Sequence, residues 1–390
     1  YRRQITPLTS LLDYAFYVSF FPQLVAGPIV RARDFIPQIR RPLFVSNEMF
    51  GRGIFLIVSG LFKKAVISDY ISVNFVERIF DNPTLYSGVE NLIGVYGYAL
   101  QIYCDFSGYS DMAIGLGKIL GFTFPENFRY PFISKSISEF WRRWHMTLGG
   151  WFRDYLYIPL GGQPGERSAW CFNMFVVWLL SGLWHGAGWN FALWGLYFGV
   201  FLSAEKLIGK KWKERSFKIA DISANNDSNG GDRENMFLTC VRNIIEHGYV
   251  LLVVLFSFVI FRVEGVREIK EQFLGLSGCY GNAMTPMAAY EIKSSLILLL
   301  IACAGATPFP AMWVQRLKIQ TCGKVRMAVT ELLYTDRTGA CYGIFTGKFG
   351  TSVFIFPVLG RLSGKPHLSD TGSLMRRAEA WIGRKKIAAV

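Results

Sequence analysis

Between Cys171 and Leu202 the chain runs for 32 residues without one Asp, Glu, Lys or Arg. A continuous helix of that length would extend roughly 48 Å, well beyond a hydrocarbon core of about 30 Å. The run therefore has to break or fold back, and Gly182, Gly186 and Gly188 mark where. His185 stands at that break. An ionisable ring at membrane depth is costly unless it is paired or faces a cavity, and irregular backbone there needs protein or water around it. Any fold for this chain must accommodate His185.

Composition agrees that lipid is much of the solvent. Hydrophobic residues make up 51% and aromatic residues 16%, while charged residues fall to 18%, against about 25% in soluble proteins. The 42 basic and 28 acidic residues leave a net charge of +14, which reads as cytoplasmic loops and lipid headgroups. No arginine-rich arm, zinc-finger spacing or RNP-like motif supports nucleic-acid binding. The seven cysteines form no CxxC pair and read as small buried hydrophobes rather than a disulfide framework.

Candidate membrane segments are 11–30, 49–67, 92–120, 171–202, 249–261 and 294–304. Several are interrupted by glycine, proline or polar clusters, as in QLVAGPI (23–29) and YCDFSGYSDMAIGLG (103–117). The expected fold is an all-α, multi-pass membrane bundle with broken or re-entrant helices around an interior cavity or tunnel. Residues 204–235 change character, with Lys206, Lys210, Lys211, Lys213, Arg215 and Lys218 ahead of a polar stretch. They read as a cytoplasmic loop, either plainly solvated or a partner site.

Residues 136–157 read as a helix in the membrane interface. Ser136 and Glu139 have capping-box spacing, and Gly149–Gly150 is the expected kink. At helical periodicity Trp141, Trp144, His145, Leu148, Trp151, Phe152 and Tyr155 share one face, opposite a charged one. A second histidine, His145, is thereby expected on the buried side.

His185 is either a packed core residue or a base or nucleophile in a cavity. Its ordinary pKa of about 6.5 makes neutral imidazole available at cellular pH. Arg142 and Arg143 suit a phosphate or carboxylate, or else snorkel to headgroups. Asp105 and Asp111 either support a catalytic ring or bond backbone N–H groups freed at Gly108. Asn190 reads most simply as a helix-packing amide, and it joins Arg142, Arg143, Asp105, Asp111 and Trp184, beside His185, as a substrate-side candidate. No GxSxG elbow, Walker loop, HExxH or dinucleotide fingerprint is present. Four histidines without paired spacing argue against a metal site.

Four long motifs carry a resemblance to the membrane-bound O-acyltransferase family: FFPQLVAGPIVR (20–31), YCDFSGYSDMAIGLGKILGF (103–122), NFRYPFISKSISEFWRRWHMTLGGWFRDYLYIPLGG (127–162) and SGLWHGAGWNFALWG (181–195). They resemble its bacterial branch, which includes alginate-acetylation membrane subunits, the nearest likeness, and teichoic-acid D-alanyl transfer proteins. The resemblance implies that His185 matches the family's invariant histidine and His145 its second histidine. It implies spanning helices around a thinned centre, and acyl transfer from a thioester donor, acetyl-CoA or an acyl carrier, with no bound cofactor. It further implies a bacterial cytoplasmic-membrane location and a periplasmic or extracellular acetyltransferase partner that completes modification of a polysaccharide. The domain is expected over residues 1–315, with 316–390 an atypical C-terminal region. Family N-terminal helices are missing ahead of Tyr1, which suggests an incomplete form. On physics alone a transporter or channel using His185 as a proton relay or solute ligand remains the rival, with a non-catalytic scaffold as a third reading.

Overall fold

The computed structural model describes residues 10–162, 167–224 and 231–309, together with three short strands further on. The chain divides into two units, Tyr1–Pro310 and Ala311–Val390. The described part of the first unit is helical throughout. In the second, β1 (Leu333–Thr335), β2 (Cys341–Ile344) and β3 (Ile355–Pro357) form an antiparallel sheet in the order β1-β2-β3, with Tyr334 opposite Tyr342 and Gly343 opposite Phe356. The all-α expectation thus describes the first unit.

Three described helices are long and apolar enough to cross a membrane, over Trp189–Ile208, Thr239–Arg262 and Ala288–Gly305. They coincide with three of the six expected segments. The segment 11–30 does not span. It forms the nine-residue helix α1 (Leu11–Ser19), then a tight turn at Phe21–Gln23, and doubles back until the Tyr17 hydroxyl donates to the Val30 carbonyl at 3.0 Å. Pro22 supplies no amide hydrogen there, and Gly27 packs so closely beneath the Pro22 carbonyl that a Cβ would collide with it. After α2 (Ala32–Ile39), Phe20, Phe35, Phe122 and Phe124 close a small aromatic core over this segment.

Helix α3 (Asn47–Leu61) starts where the Ser46 side chain accepts the Met49 amide hydrogen at 3.1 Å. It continues through π-helical turns, Phe62–Ser68 and Ser72–Val76, that flank α4 (Asp69–Ile71) and lead into α5 (Glu77–Asp81). Its long partner is α6 (Gly88–Ile119), opened by a complete capping box between Ser87 and Glu90. The expected break within 103–117 is absent, because α6 runs unbroken through it. The glycines there serve packing instead. Gly53 and Gly60 of α3 face Gly115 and Gly108 of α6, and a Cβ on any of the four would strike the other helix's backbone. Small residues at such a crossing let two backbones approach closely.

The interfacial helix expected over 136–157 is divided. Helix α7 (Ile137–Arg143) and helix α8 (Met146–Phe152) meet at Trp144–His145, and a π-helical turn over Arg153–Tyr157 follows. The kink lies at His145 rather than at Gly149–Gly150, because His145 takes left-handed backbone angles, φ 42° and ψ 53°. The capping box is half present: Ser136 accepts the Glu139 amide hydrogen, while the Glu139 carboxylate accepts from Lys135. Glu205 completes the N-terminus of α7, accepting from the Ile137 and Ser138 amides at 2.5 and 3.0 Å. Negative charge at this end of a helix is favourable.

The uncharged run folds into a hairpin of α9 (Arg167–His185) and α10 (Trp189–Ala224). The break falls at 186–188, as expected. Gly182 stays helical, and its missing Cβ lets Phe191 of α10 approach, as Gly195 does for Trp178. The expected polar loop over 204–235 is largely helical, since α10 extends to Ala224 and α11 (Gly231–Arg262) begins soon afterwards. Its Lys, Arg and Glu residues are good helix formers, so polarity there did not signal a loop. Helices α12 (Val266–Leu276) and α13 (Pro286–Gly305) complete the unit.

Candidate active site

His185 is the last residue of α9, immediately before the glycine turn. The turn closes with the Gly186 amide donating to the Leu183 carbonyl at 3.3 Å and the Phe191 amide donating to Gly188 at 3.2 Å. The imidazole is partly buried and lies edge-on to Trp184, Trp194 and Phe261, with ring centroids 5.0, 5.3 and 5.1 Å away. No hydrogen-bond partner holds the ring among the described residues. Aromatic edges set its place while leaving both nitrogens uncommitted.

Asn190 fixes the far side of the turn. Its amide donates to the Phe261 carbonyl at 3.0 Å, tying α10 to the end of α11, and it is 3% exposed. The expected packing amide is found as such. Behind His185 lies an aromatic block in which Trp194 meets Trp141 at 5.5 Å and Phe198 at 5.2 Å. The indole nitrogens of Trp141 and Trp194 are buried without a hydrogen-bond partner among the described residues. Buried N–H donors are normally paired, so these two are unusual, and that of Trp194 belongs to a ring in contact with His185.

His145 occupies a different setting. It is buried, with Phe106 edge-on at 4.7 Å and Phe128 stacked at 6.4 Å. Its left-handed backbone costs about 1–2 kcal/mol in a residue bearing a Cβ. Backbone bonds hold that conformation, from Met146 to the Asn127 carbonyl at 2.9 Å and from Arg129 to the Arg143 carbonyl at 2.8 Å. The Asn127 side chain is the centre of the local polar network. Its Oδ1 lies 3.0 Å from His145 Nδ1, 2.9 Å from Thr147 Oγ1 and 3.3 Å from the Thr147 amide. Its Nδ2 donates to Ser110 Oγ at 3.1 Å. Burial, and after it the charge of His185, push the His145 imidazole down to about 3, so it is neutral at cellular pH.

The remaining sequence candidates go elsewhere. Asp111 pairs with Lys63 at 2.6 Å, and Asp105 pairs with Lys64. Both carboxylates therefore clamp α6 to the α3 segment; neither bonds a backbone N–H freed at Gly108, because α6 frees none there. Arg143 donates from Nη2 and Nε to one Glu139 carboxylate oxygen, at 2.8 and 3.0 Å, and to the Arg129 carbonyl. Arg142 is exposed, and no ion pair joins it to another described residue. Trp184 is 56% exposed and lies edge-on to His185. Among the described residues no three His, Cys, Asp or Glu side chains converge to hold a metal.

A cleft of about 460 Å³ opens beside the His145 turn, lined in part by Ile29, Arg31, Met146, Thr147, Gly150 and Arg153. Thr147 links its wall to the histidine, since its hydroxyl also accepts the Ile29 amide hydrogen at 3.1 Å. Asn127, Ser110 and Thr147 were not singled out from sequence. The available signal was a lone amide inside the NFRYPF motif, and only tertiary pairing reveals its partner.

These elements define a membrane-embedded helical protein with two neutral-imidazole centres, one free at a glycine turn and one clamped by an amide. The sequence profile of the membrane-bound O-acyltransferase family matches residues 3–224, more than half of the chain, and the protein belongs to that family. It is 45% identical over 217 residues to a probable alginate O-acetylase of Pseudomonas syringae, covering 55% of this chain and 41% of that protein. A peptidoglycan O-acetyltransferase of Helicobacter pylori is 41% identical over 219 residues, 56% of this chain and 41% of its own length. A teichoic acid D-alanyltransferase of Bacillus subtilis is 32% identical over 221 residues, 54% of each chain. The chain spans about half the length of the curated relatives it matches.

Proposed function

We propose that this chain carries the catalytic part of a bacterial O-acyltransferase, which moves an acetyl group from a thioester to hydroxyls destined for a cell-surface polysaccharide. The observation that carries this reading is the His185 imidazole, held by aromatic edges with no hydrogen bond from another described residue occupying its nitrogens. A neutral imidazole so placed takes the proton of an attacking hydroxyl. The new C–O bond forms as the thioester C–S bond breaks, and the proton passes on to the departing thiolate. A positioned base of this kind contributes about 10²–10⁴-fold. The Trp194 indole lies edge-on to His185, and its N–H, covered and unpaired among the described residues, would donate to the oxyanion that develops on the carbonyl once substrate entry uncovers it, a term often larger than the base itself.

His145 supports the same reaction in this proposal, accepting a hydrogen bond from a second hydroxyl of the acceptor and so holding the attacking one in line. Relatives named for O-acetyl transfer are 41–45% identical, against 32% for the D-alanyltransferase, and this favours acetyl over D-alanyl as the group moved. The acceptor class follows from those relatives' names, which include alginate and peptidoglycan. The proposed setting is the bacterial cytoplasmic membrane, with acetyl-CoA or an acyl carrier as donor and a periplasmic acetyltransferase as partner. The test is His185→Gln in the full-length protein, reconstituted with a thioester donor. Loss of acyl transfer with normal membrane expression is expected. Wild-type transfer by that variant, or solute flux without thioester turnover, overturns the reading in favour of a scaffold or a transporter.

A further inference from the structure

We infer that Asn127 is a positioning residue that fixes His145 in the tautomer protonated on Nδ1, leaving the Nε2 lone pair as the only face offered to substrate. The inference rests on the reading that His145 takes part in acyl transfer, and its geometry is independent of that reading. The Thr147 amide can only donate, and it points at the Asn127 side chain at 3.3 Å. The atom it meets must be the amide oxygen, which also leaves Nδ2 to donate to Ser110. The Thr147 hydroxyl agrees: it accepts from the Ile29 amide at 3.1 Å and so has its own proton free to donate to the same oxygen at 2.9 Å. With oxygen established at that position, His145 Nδ1 at 3.0 Å can only be the donor. In a neutral ring the proton then sits on Nδ1 and Nε2 is bare.

The network joins four segments of the fold. Ser110 lies on α6, Asn127 on the connection after it, Thr147 on α8 and Ile29 on the folded-back N-terminal segment. Asn127 is 1% exposed and His145 6% exposed, so water does not compete for these bonds. The left-handed backbone of His145 turns the ring back towards Asn127, while Phe106 and Phe128 confine its plane. His185 has no corresponding polar partner among the described residues. The molecule thus sets the tautomer of one histidine by a hydrogen bond and leaves that of the other open. In acyl transfer a committed Nε2 acceptor suits alignment of a substrate O–H, because a ring free to present N–H instead would repel that donor.

The test is ¹⁵N-histidine NMR on the full-length protein in detergent micelles, with the His145 signals identified by their loss in His145→Gln. The wild type should show a neutral ring protonated on Nδ1. Asn127→Asp retains an acceptor oxygen and should retain both this tautomer and most of kcat. Asn127→Ala should give a mixed or reversed tautomer, with kcat down roughly 10–100-fold, the scale of a mispositioned group, and an unchanged KM for the thioester. A wild-type ring protonated on Nε2 overturns the inference, whether or not any variant folds. Unchanged kcat in Asn127→Ala, alongside an inactive His145→Gln, overturns it as well. A fully active His145→Gln overturns instead the reading on which the role rests, leaving the tautomer result intact.

Discussion

The Asn190 side chain donates to the backbone carbonyl of Phe261 at 3.0 Å, and the ring of that same Phe261 lies edge-on to His185 at 5.1 Å. One amide therefore couples the glycine turn that presents His185 to the helix whose aromatic end confines it. The turn contains glycines that cannot hold their own conformation rigidly, so the external tie supplies the rigidity that the local sequence lacks.

Asn190→Leu should loosen this arrangement. It leaves the partly buried Phe261 carbonyl without its side-chain donor, at a cost of about 1–3 kcal/mol. A lower thermal midpoint in detergent is expected, together with a fall in kcat larger than any change in KM. An unchanged midpoint would show that another donor replaces the amide.

Trp194→Phe separates packing from donation. The ring and its edge contact with His185 are largely retained, while a buried N–H without a partner is removed. If that N–H meets the developing oxyanion, kcat falls by roughly 10²-fold, as for other lost donors of this type, while stability holds or rises. Unaltered acyl transfer would confine Trp194 to packing.

The α3–α6 crossing should not tolerate a side chain. Gly60→Ala places a Cβ against the Gly108 carbonyl, and overpacking of this sort costs about 1–3 kcal/mol. Reduced yield of folded protein is expected, and the paired ions Lys63–Asp111 and Lys64–Asp105 should be lost with the crossing. Normal yield and melting would mean that the helices separate without penalty.

Asp154 gives the interfacial segment an acid-sensitive tie. Hydrogen bonding first from Arg153, and also from Arg31, holds its carboxyl below the usual carboxylate range. A depressed carboxyl contributes stability above its unfolded pKa of about 3.9, and loses it as pH falls through the lower folded value. The melting temperature of the wild type should therefore decline below about pH 4 more steeply than that of Asp154→Asn. Parallel curves for the two proteins would remove Asp154 from the acid response.

His145→Gln is expected to lower acyl transfer only in part, whereas His185→Gln abolishes it. Single-turnover rates with a thioester donor separate the two. Equal, complete losses would make the histidines one catalytic unit rather than a base and an aligning acceptor.

Much of this was legible beforehand because hydrophobicity and backbone chemistry act locally. An uncharged run too long for the bilayer had to turn, and three glycines could only turn it near His185. The helical periodicity around Trp144 put His145 on the buried face, where it lies. Other signals were ambiguous for physical reasons. The glycines of 103–117 suit a broken helix or a close crossing equally well, and only the presence of α3 decided for the crossing. Asp105 and Asp111 looked available until the two lysines were brought opposite them, and the lysine-rich stretch after Ala204 hid a helix because charge does not oppose helix formation.

What the sequence determined unaided was the solvent and the family: a chain for lipid, a turn in the uncharged run beside His185, and the motifs that hold both histidines. Tertiary structure alone decided how those histidines are held. Asn127 lies 18 residues from His145, and the clamp between them exists at 3.0 Å only because α6, α8 and the N-terminal segment converge there. Composition and periodicity report which face of an element avoids water, whereas a hydrogen bond's direction depends on which donors meet an acceptor in space.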